Sequence, residues 1–480
     1  MATTALSCLQ SGLFKPQWFG TDGLRAAVNT PPITPQCLQL LGQALAQLIK
    51  RGDVQQLQPA GCKPQVVIGW DTRASGPDLT AALSEGLGSC GVAAVLLGVV
   101  PTAAVGHLVQ SRGACAGLVV SASHNPASDN GIKMLDNQGY KFSQQLEQLL
   151  YRQLQHMPQP LPGDDGCAPC SWQHNAADVY IQRISRLFAA GPWLKGLRIA
   201  VDCAQGAAYK IGPQLLQQLG AQVMVLADQP NGQNINDSCG SEYPSKLQQF
   251  VHKHAVDFAV ALDGDADRCA FVDEKGQLLE GDAVLMLLAK DLKQQGKLPH
   301  NGCVATVMSD MALKQQLRAV GIALQHTPVG DRHVVQRLQQ QQLALGGEPS
   351  GHIVFWPHSH TADGLLATLL MASLLQRADQ PLSELARQFE PTPRVLLNVS
   401  VPYKVALTQL PKTQQLVAQI KRALGDTGRI LVRYSGTQLK ARILLEGRDA
   451  YRLQQLAHQV SACWQWELQY TDAAAAKQET

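Results

Sequence analysis

One theme recurs along most of this chain: a short apolar run, a turn, then a segment of helix length. Gln65-Val-Val-Ile-Gly69 is such a run, followed by Asp71-Thr72-Arg73 and a helix-like stretch from Leu79 to Cys90. Val92 to Val100 reads as the next strand. Leu197 to Asp202, then Ile211 to Leu219 as a helix and Ala221 to Leu226 as a strand, repeat the pattern. Phe258 to Leu262 and Cys303 to Val307 are further strands. Strands alternating with helices predict βαβ units and mainly parallel sheets, which places the chain in the α/β class. A length of 480 residues allows about three or four domains. Three breaks in composition mark the joints. Met157 to Ser171 is rich in Pro, Gly, Cys and Asp; Asp273-Glu-Lys-Gly276 is a turn before a helix at Asp282; Phe389-Glu-Pro-Thr-Pro393 is the last. They divide the chain into domains at 1–160, 172–274, 275–389 and 393–480.

Composition narrows the partners. Forty basic against 37 acidic residues leave a net charge of +3, which favours neither nucleic acid nor a membrane surface. Met1 to Pro16 lacks the charged and apolar regions of a signal peptide. No apolar run reaches the ~18 residues that span a bilayer. The twelve cysteines lie mostly in apolar segments, so a reduced, cytoplasmic protein is expected. Cys167-Ala-Pro-Cys170 is the one close pair, with no second CxxC to complete a zinc site. The run Gln339 to Gln342, between Leu338 and Leu343, reads as a solvated helix face, and Ala473 to Thr480 as a frayed tail.

Four polar segments interrupt the apolar pattern. Gly117 to Val120 delivers Ser121-Ala-Ser-His-Asn-Pro126 into a loop, with Asn130-Gly131 as a turn signal and Lys133 just beyond. A serine beside His124 and Lys133 suits a nucleophile or phosphoryl carrier; a solvated strand-to-helix turn fits the same residues. Asp263-Gly-Asp-Ala-Asp-Arg268 follows the strand Phe258 to Leu262. If the chain stays extended, Asp263, Asp265 and Asp267 project to one side and repel one another unless a hard cation neutralises them. Rival readings are an acidic turn and an aspartyl phosphatase, although Asp267 stands where the latter expects Thr or Val. Glu348, Ser350 and His352 share a short loop between glycines that could hydrogen-bond a polyhydroxy ligand, or be a polar helix-entry turn. Arg433, Ser435, Gly436, Thr437 and Arg442 have the composition of a phosphate site, or of a basic surface hairpin. Phe19-Gly-Thr-Asp-Gly-Leu-Arg25 is a weaker signal, its arginine available to a phosphate. His252-Lys-His254 and His358-Ser-His360 have no acidic company and read as surface histidines.

In this order, one per domain, the four segments resemble the α-D-phosphohexomutases, from Phe19 to Glu446. Phe19-Gly-Thr-Asp-Gly, Ser121-Ala-Ser-His-Asn-Pro126, Asn234-Ile-Asn236 with Cys239-Gly240, and Thr327-Pro-Val-Gly-Asp-Arg332 point to the bacterial branch acting on glucosamine phosphates. The resemblance implies four domains around a central cleft: three related mixed α/β sandwiches and a smaller C-terminal α+β domain. It implies that Ser123 carries the phosphoryl group, with one Mg²⁺ held by Asp263, Asp265, Asp267 and an oxygen of that serine. Glu348, Ser350 and His352 would contact the sugar. Arg433, Ser435, Gly436, Thr437 and Arg442 would hold its non-reacting phosphate. Arg25, His124, Lys133 and Arg268 are candidates for proton transfer or charge stabilisation. The implied reaction interconverts glucosamine 6-phosphate and glucosamine 1-phosphate through glucosamine 1,6-bisphosphate, feeding UDP-N-acetylglucosamine synthesis. A monomer or homodimer is expected, with a small-molecule sugar phosphate as its partner.

Two departures from the family pattern stand out. The phosphate loop runs Gly436-Thr437-Gln438-Leu439 where Glu-Pro is usual after SGT, and Arg25 is followed by Ala26 where Gly is usual. Loss of the proline could loosen the phosphate loop. Other readings of the chain are a phosphomannomutase/phosphoglucomutase, a non-catalytic sugar-phosphate binder, and a metal phosphatase using Asp263.

Overall fold

The computed structural model describes residues 23–58, 64–156, 168–434 and 439–476, the last seven by backbone alone. Four sheets follow one another along the chain. The first contains β1 (Leu24–Ala27), β2 (Gln65–Trp70), β3 (Ala93–Val99), β4 (Ala116–Val120), β5 (Asp129–Leu135) and β6 (Cys170–Trp172), in the order β1-β5-β4-β2-β3-β6. The second contains β7 (Arg198–Asp202), β8 (Gln222–Leu226), β9 (Phe258–Leu262) and β10 (Cys269–Asp273), ordered β10-β9-β7-β8. The third contains β11 (Gly302–Thr306), β12 (Ala323–Thr327), β13 (Leu345–Gly347) and β14 (Ile353–Phe355), ordered β12-β11-β13-β14. The fourth is antiparallel: β15 (Arg394–Ser400), β17 (Lys440–Glu446) and β16 (Arg429–Tyr434), in that order.

The first three sheets share one plan. Strands β3-β2-β4, β8-β7-β9 and β12-β11-β13 pair in parallel, as the strand–helix alternation predicts. Each set then adds one antiparallel strand: β5 on β4, β10 on β9, β14 on β13. The sheets are therefore mixed. The chain reverses at the same place in all three, and each reversal is one of the polar segments singled out in the sequence.

Two expectations fail here. Asn130-Gly131 is no turn; both residues lie inside β5, between β1 and β4. Glycine is needed there for close approach: a Cβ on Gly131 would lie 2.6 Å from Leu24 O and 2.7 Å from Ser121 O. Asn130 caps locally, its side chain bonding Gly131 N and Ser75 Oγ. The Pro- and Gly-rich joint also ends earlier than expected. Cys170–Trp172 pairs with β3 as an exposed edge strand, stabilised by a Trp70–Trp172 edge contact at 5.7 Å. Residues 157–167, including Cys167, lie outside the described residues.

Helix formation follows ordinary signals. The helix Pro35–Arg51 begins at Thr34, whose hydroxyl accepts from Cys37 N at 3.2 Å, and ends at Gly52 in the left-handed region. It buries Leu38, Leu41, Leu45 and Leu48, each contributing roughly 1.5–3 kcal/mol. Six of the nine described cysteines are buried and none is in a disulfide. No helix among the described residues is long and apolar enough to cross a membrane.

The chain falls into two compact units. One comprises residues up to 308 with 320–388; the other comprises 309–319 with 389–480. The second is the smaller α+β unit. Its core centres on Trp464, which is fully buried against Tyr434 with ring centroids 5.1 Å apart. The helix Met311–Ala319 joins it through Met311 N, which donates to Glu446 Oε2 at 3.1 Å.

Candidate active site

The loop between β4 and β5 carries Ser123, in a strand-to-strand connection rather than a strand-to-helix turn. Ser123 is fully buried and has φ 54°, a left-handed conformation unusual for a side chain with a Cβ. Its hydroxyl donates to Asp263 Oδ2 at 2.6 Å, and its amide donates to Ser121 Oγ at 2.9 Å. Ser121 Oγ in turn donates to Asp71 Oδ2 at 2.6 Å. Ser123, not Ser121 or Ser128, is thus the serine aimed at the acidic loop.

That acidic loop joins β9 to β10, but it does not stay extended. Ala266 takes φ 57°, and Ala266 N donates to Asp263 O at 3.0 Å. The coil, rather than strand alternation, brings the carboxylates together. Asp263, Asp265 and Asp267 are buried, and one oxygen from each lies within 4.8 Å of the others. Lys133 Nζ, projecting from β5, meets Asp265 Oδ2 at 2.5 Å and Asp267 Oδ2 at 2.6 Å. Thr102 Oγ1 also donates to Asp265 Oδ2. Lys141 Nζ pairs with Asp331 at 2.8 Å and lies 3.9 Å from Asp267.

The loop from Glu348 to His352 joins β13 to β14 and completes the centre. His352 Nε2 lies 3.3 Å from Asp267 Oδ1, and His352 Nδ1 lies 2.9 Å from Glu348 Oε2 and 3.2 Å from Ser350 Oγ. Arg268 and His352 form an isolated antiparallel bridge between the two loops. Arg268 Nη1 donates to Glu242 Oε1 at 2.8 Å, and its amide to Asp263 Oδ1 at 3.0 Å. On the other side, Arg25 stands opposite Gly131 on β1 and donates to Asn125 Oδ1 at 3.4 Å. His124 Nδ1 is 3.5 Å from Ser123 Oγ.

The electrostatics divide the three aspartates. Burial, then the charges of Asp267 and Asp265, push Asp263 up to about 7. Burial works against ionisation of Asp267 too, but Lys133, His352 and Lys141 outweigh it and hold that carboxyl well below the usual range. His352 is the mirror case: burial resists its charge, yet Asp267 lifts it to about 10. His124 is depressed to about 4 by burial and by the charge of Arg268. One buried oxygen, Asp265 Oδ1, has no hydrogen-bond partner among the described residues, and Asp267 Oδ1 meets His352 Nε2 only at 3.3 Å. Hard, buried, partly orphaned carboxylate oxygens beside a serine hydroxyl fit a divalent cation such as Mg²⁺.

The sequence reading missed the tripeptide Asp71-Thr72-Arg73. Arg73 is buried, bonds Asp71 Oδ2 through Nε at 2.9 Å, and reaches four carbonyls of the serine loop. Thr72 Oγ1 donates to Gln205 O beyond β7. An available signal was the position of this charged tripeptide at the C-terminal end of a parallel strand, where α/β sheets place ligands.

In the second unit Arg433 and Arg442 lie directly opposite each other on β16 and β17, both half-buried. Ser435, Gly436, Thr437 and Gln438 lie outside the described residues, as does Phe19-Gly-Thr-Asp22. His252 and His254 are exposed; His358 and His360 are half-buried, and His360 stacks on Tyr140 at 4.0 Å.

Comparison with known proteins agrees with this geometry. The phosphoglucomutase/phosphomannomutase profiles match in order: alpha/beta/alpha domain I over residues 16–160, domain II over 178–276, domain III over 280–392 and the C-terminal domain over 396–462. A protein of Symbiobacterium thermophilum named phosphoglucosamine mutase is 41% identical, over 95% of this chain and all of its own length. One of Myxococcus xanthus with the same name is 41% identical, over 92% of this chain and 95% of its own. Among solved structures, a phosphoglucomutase/phosphomannomutase family protein of Burkholderia thailandensis superposes with TM-score 0.76 at 22% identity, covering 94% of this chain and 98% of its own. The N-acetylphosphoglucosamine mutase of Aspergillus fumigatus, in complex with GlcNAc-6P and magnesium, superposes with TM-score 0.61 at 16% identity, covering 97% and 99%.

Proposed function

The chain belongs to the phosphoglucomutase/phosphomannomutase family, and we propose that it is a phosphoglucosamine mutase, interconverting glucosamine 6-phosphate and glucosamine 1-phosphate. The observation that carries this reading is the 2.6 Å contact between Ser123 Oγ and Asp263 inside a buried three-carboxylate cluster. The choice of an amino sugar follows the relatives that share about 40% of its residues over nearly the whole chain.

The reaction starts from phosphorylated Ser123. The substrate's free hydroxyl oxygen, at C1 of glucosamine 6-phosphate, bonds to phosphorus as the bond from Ser123 Oγ to phosphorus breaks. The hydroxyl proton leaves to a nearby base, and glucosamine 1,6-bisphosphate results. After the bisphosphate turns end for end, Ser123 Oγ takes the phosphoryl group from the 6-position and the other monophosphate departs. Phosphoryl transfer asks mainly for positioning and charge neutralisation.

The residues fit those demands. Ser123, Asp263, Asp265 and Asp267 would hold Mg²⁺, which neutralises charge on the transferring group. Lys133 is committed to Asp265 and Asp267, so it neutralises rather than shuttles a proton. His124, with Nδ1 3.5 Å from Ser123 Oγ, is placed to take the proton, although burial and Arg268 disfavour its charged form. Arg25 and Arg268 flank the serine loop and would stabilise phosphate oxygens. Glu348, Ser350 and His352 would bond sugar hydroxyls. Arg433, Ser435, Gly436, Thr437 and Arg442 would hold the phosphate that is not reacting, whichever end of the sugar it occupies.

A coupled assay comparing glucosamine, glucose and mannose 6-phosphates, with intact mass measurement, tests the reading. Fastest turnover of glucosamine 6-phosphate and one phosphate on Ser123 are expected. Faster turnover of glucose or mannose 6-phosphate would make it a phosphoglucomutase/phosphomannomutase. Phosphate release that survives Ser123→Ala would make it a phosphatase.

A further inference from the structure

Ser123 cannot hold its own backbone in place. A left-handed φ at a residue with a Cβ persists only where the surroundings over-determine it. The peptide around Ser123 is held at both ends. Its amide donates to Ser121 Oγ, which is anchored on Asp71. Its carbonyl accepts two hydrogen bonds, from Arg73 Nη2 at 3.1 Å and from Asn236 Nδ2 at 2.9 Å. Gly264, of the acidic loop, packs against the same oxygen, where a Cβ would lie only 2.5 Å away.

The two donors come from different sheets. Arg73 follows β2; Asn236 lies between β8 and β9, and its amide is tied to Ala204 O at 2.9 Å. Arg73 spends all five of its N–H donors inside the protein: Nε on Asp71, Nη1 on Pro126 O and Asp129 O, Nη2 on Ser123 O and Asn125 O. It has none left for a phosphate. Asn236 Nδ2 likewise spans Ser123 O and Asn125 O, at 2.9 and 3.1 Å.

We infer that Arg73 and Asn236 are positioning residues of the phosphoryl carrier. Together they fix the Ser123 peptide from two domains, so that Oγ points at Asp263 both when it accepts and when it donates the phosphoryl group. Neither touches substrate; both act through the serine's main chain. The inference rests on the proposed mutase reading.

Asn236 offers the cleaner test, because removing the buried Arg73 leaves Asp71 without its cation. Asn236→Ala and Asn236→Asp are expected to lower kcat about 10- to 100-fold, the cost of a small misplacement at a reacting atom. KM for glucosamine 6-phosphate should stay near wild type, and so should the thermal midpoint of Asn236→Asp; Asn236→Ala should melt somewhat lower, because Asn236 holds a left-handed φ of 59° that alanine tolerates less well. Incubation with glucosamine 1,6-bisphosphate should phosphorylate Ser123 more slowly in both variants, read by intact mass. Asn236→Asp should be the worse, because a carboxylate oxygen would face two carbonyls. A wild-type kcat in Asn236→Ala overturns the inference, as does a kcat loss matched by a fall in melting temperature and a rise in KM. A wild-type protein with neither turnover nor phosphate on Ser123 overturns the mutase reading, and this inference with it.

Discussion

Around Ser123 most charged side chains meet one of opposite sign inside the protein, whereas the hairpin of the C-terminal unit sets two arginines face to face. The first centre pairs Lys133 with Asp265 and Asp267, His352 with Glu348 and Asp267, and Arg73 with Asp71. The second places Arg433 directly across from Arg442, while Arg429, on the same strand as Arg433, has Glu446 at 2.7 Å. Like charges opposite each other on antiparallel strands destabilise by roughly 0.2–1 kcal/mol. Arg442 Nε is also buried with no hydrogen-bond partner among the described residues. On the proposed function, the contrast separates two kinds of site. A carrier that is covalently modified in every cycle has to be rigid before substrate arrives. On the proposed reading, a site for a transient dianion can keep a buried donor such as Arg442 Nε open for the ligand.

The most direct way to break this contrast is Ser123→Ala. If Ser123 is the carrier, turnover falls on the order of 10⁴-fold or more, as when other enzymes lose a nucleophile. Intact mass should then show no phosphate after incubation with the bisphosphate. Phosphate still present on the protein would move the carrier elsewhere and leave the buried centre without its purpose.

Asp267→Asn probes the acidic loop next. Asp267 is the carboxylate that three cations hold ionised, so losing its charge would weaken the proposed cation site and remove one of the two aspartates that Lys133 meets. Activity should fall about 10²- to 10³-fold at fixed Mg²⁺, within the range for losing one strongly placed electrostatic group. Part of it should return at higher Mg²⁺. Chelation should abolish wild-type activity reversibly. An Mg²⁺ titration identical to wild type would show that the loop is merely acidic.

Arg442→Met should behave in the opposite way. A charge-assisted hydrogen bond to phosphate contributes about 1.5–3 kcal/mol, so KM should rise roughly 10- to 100-fold. The thermal midpoint should hold or rise, since a like-charge pair is relieved. A clear loss of stability with unchanged KM would turn this hairpin into ordinary structure and erase the contrast.

The sequence made the chemistry of these segments more legible than their geometry. Ser123, the three aspartates and the Glu348–His352 loop stood out because clustered polar residues interrupt apolar strands. Their meeting point followed only from the family resemblance, because it depends on the same chain reversal recurring in three sheets, at β4–β5, β9–β10 and β13–β14. Strand pairing across such distances leaves no local signature. Asn130-Gly131 misled because local turn propensity was overridden: β5 is held between two neighbours, and close backbone approach demands glycine. The role of Arg73 was harder to read for a different reason. Its partners on the serine loop are main-chain carbonyls some fifty residues away, and any sequence supplies carbonyls.

The smallest effect concerns a carboxyl that supports the centre from outside. Asp363 caps the helix Gly364–Ala378, accepting from Leu366 N at 2.9 Å and from Tyr180 OH at 2.7 Å. The next residue, Gly364, donates its amide to Ala266 O in the acidic loop. Burial raises Asp363 from its ordinary 3.8 to about 6. A carboxyl raised on folding contributes stability that is complete below pH 4 and is lost as pH climbs through 6. Asn at this position still accepts both hydrogen bonds but never ionises. The melting temperature of Asp363→Asn relative to wild type should therefore increase between pH 5 and 7.5, with kcat little changed. A difference flat across that range would mean that the carboxylate is as well solvated in its buried cap as in the unfolded chain. The first unit would then tolerate a buried charge that lacks a cation, and the contrast with the arginine hairpin would rest on the Ser123 centre alone.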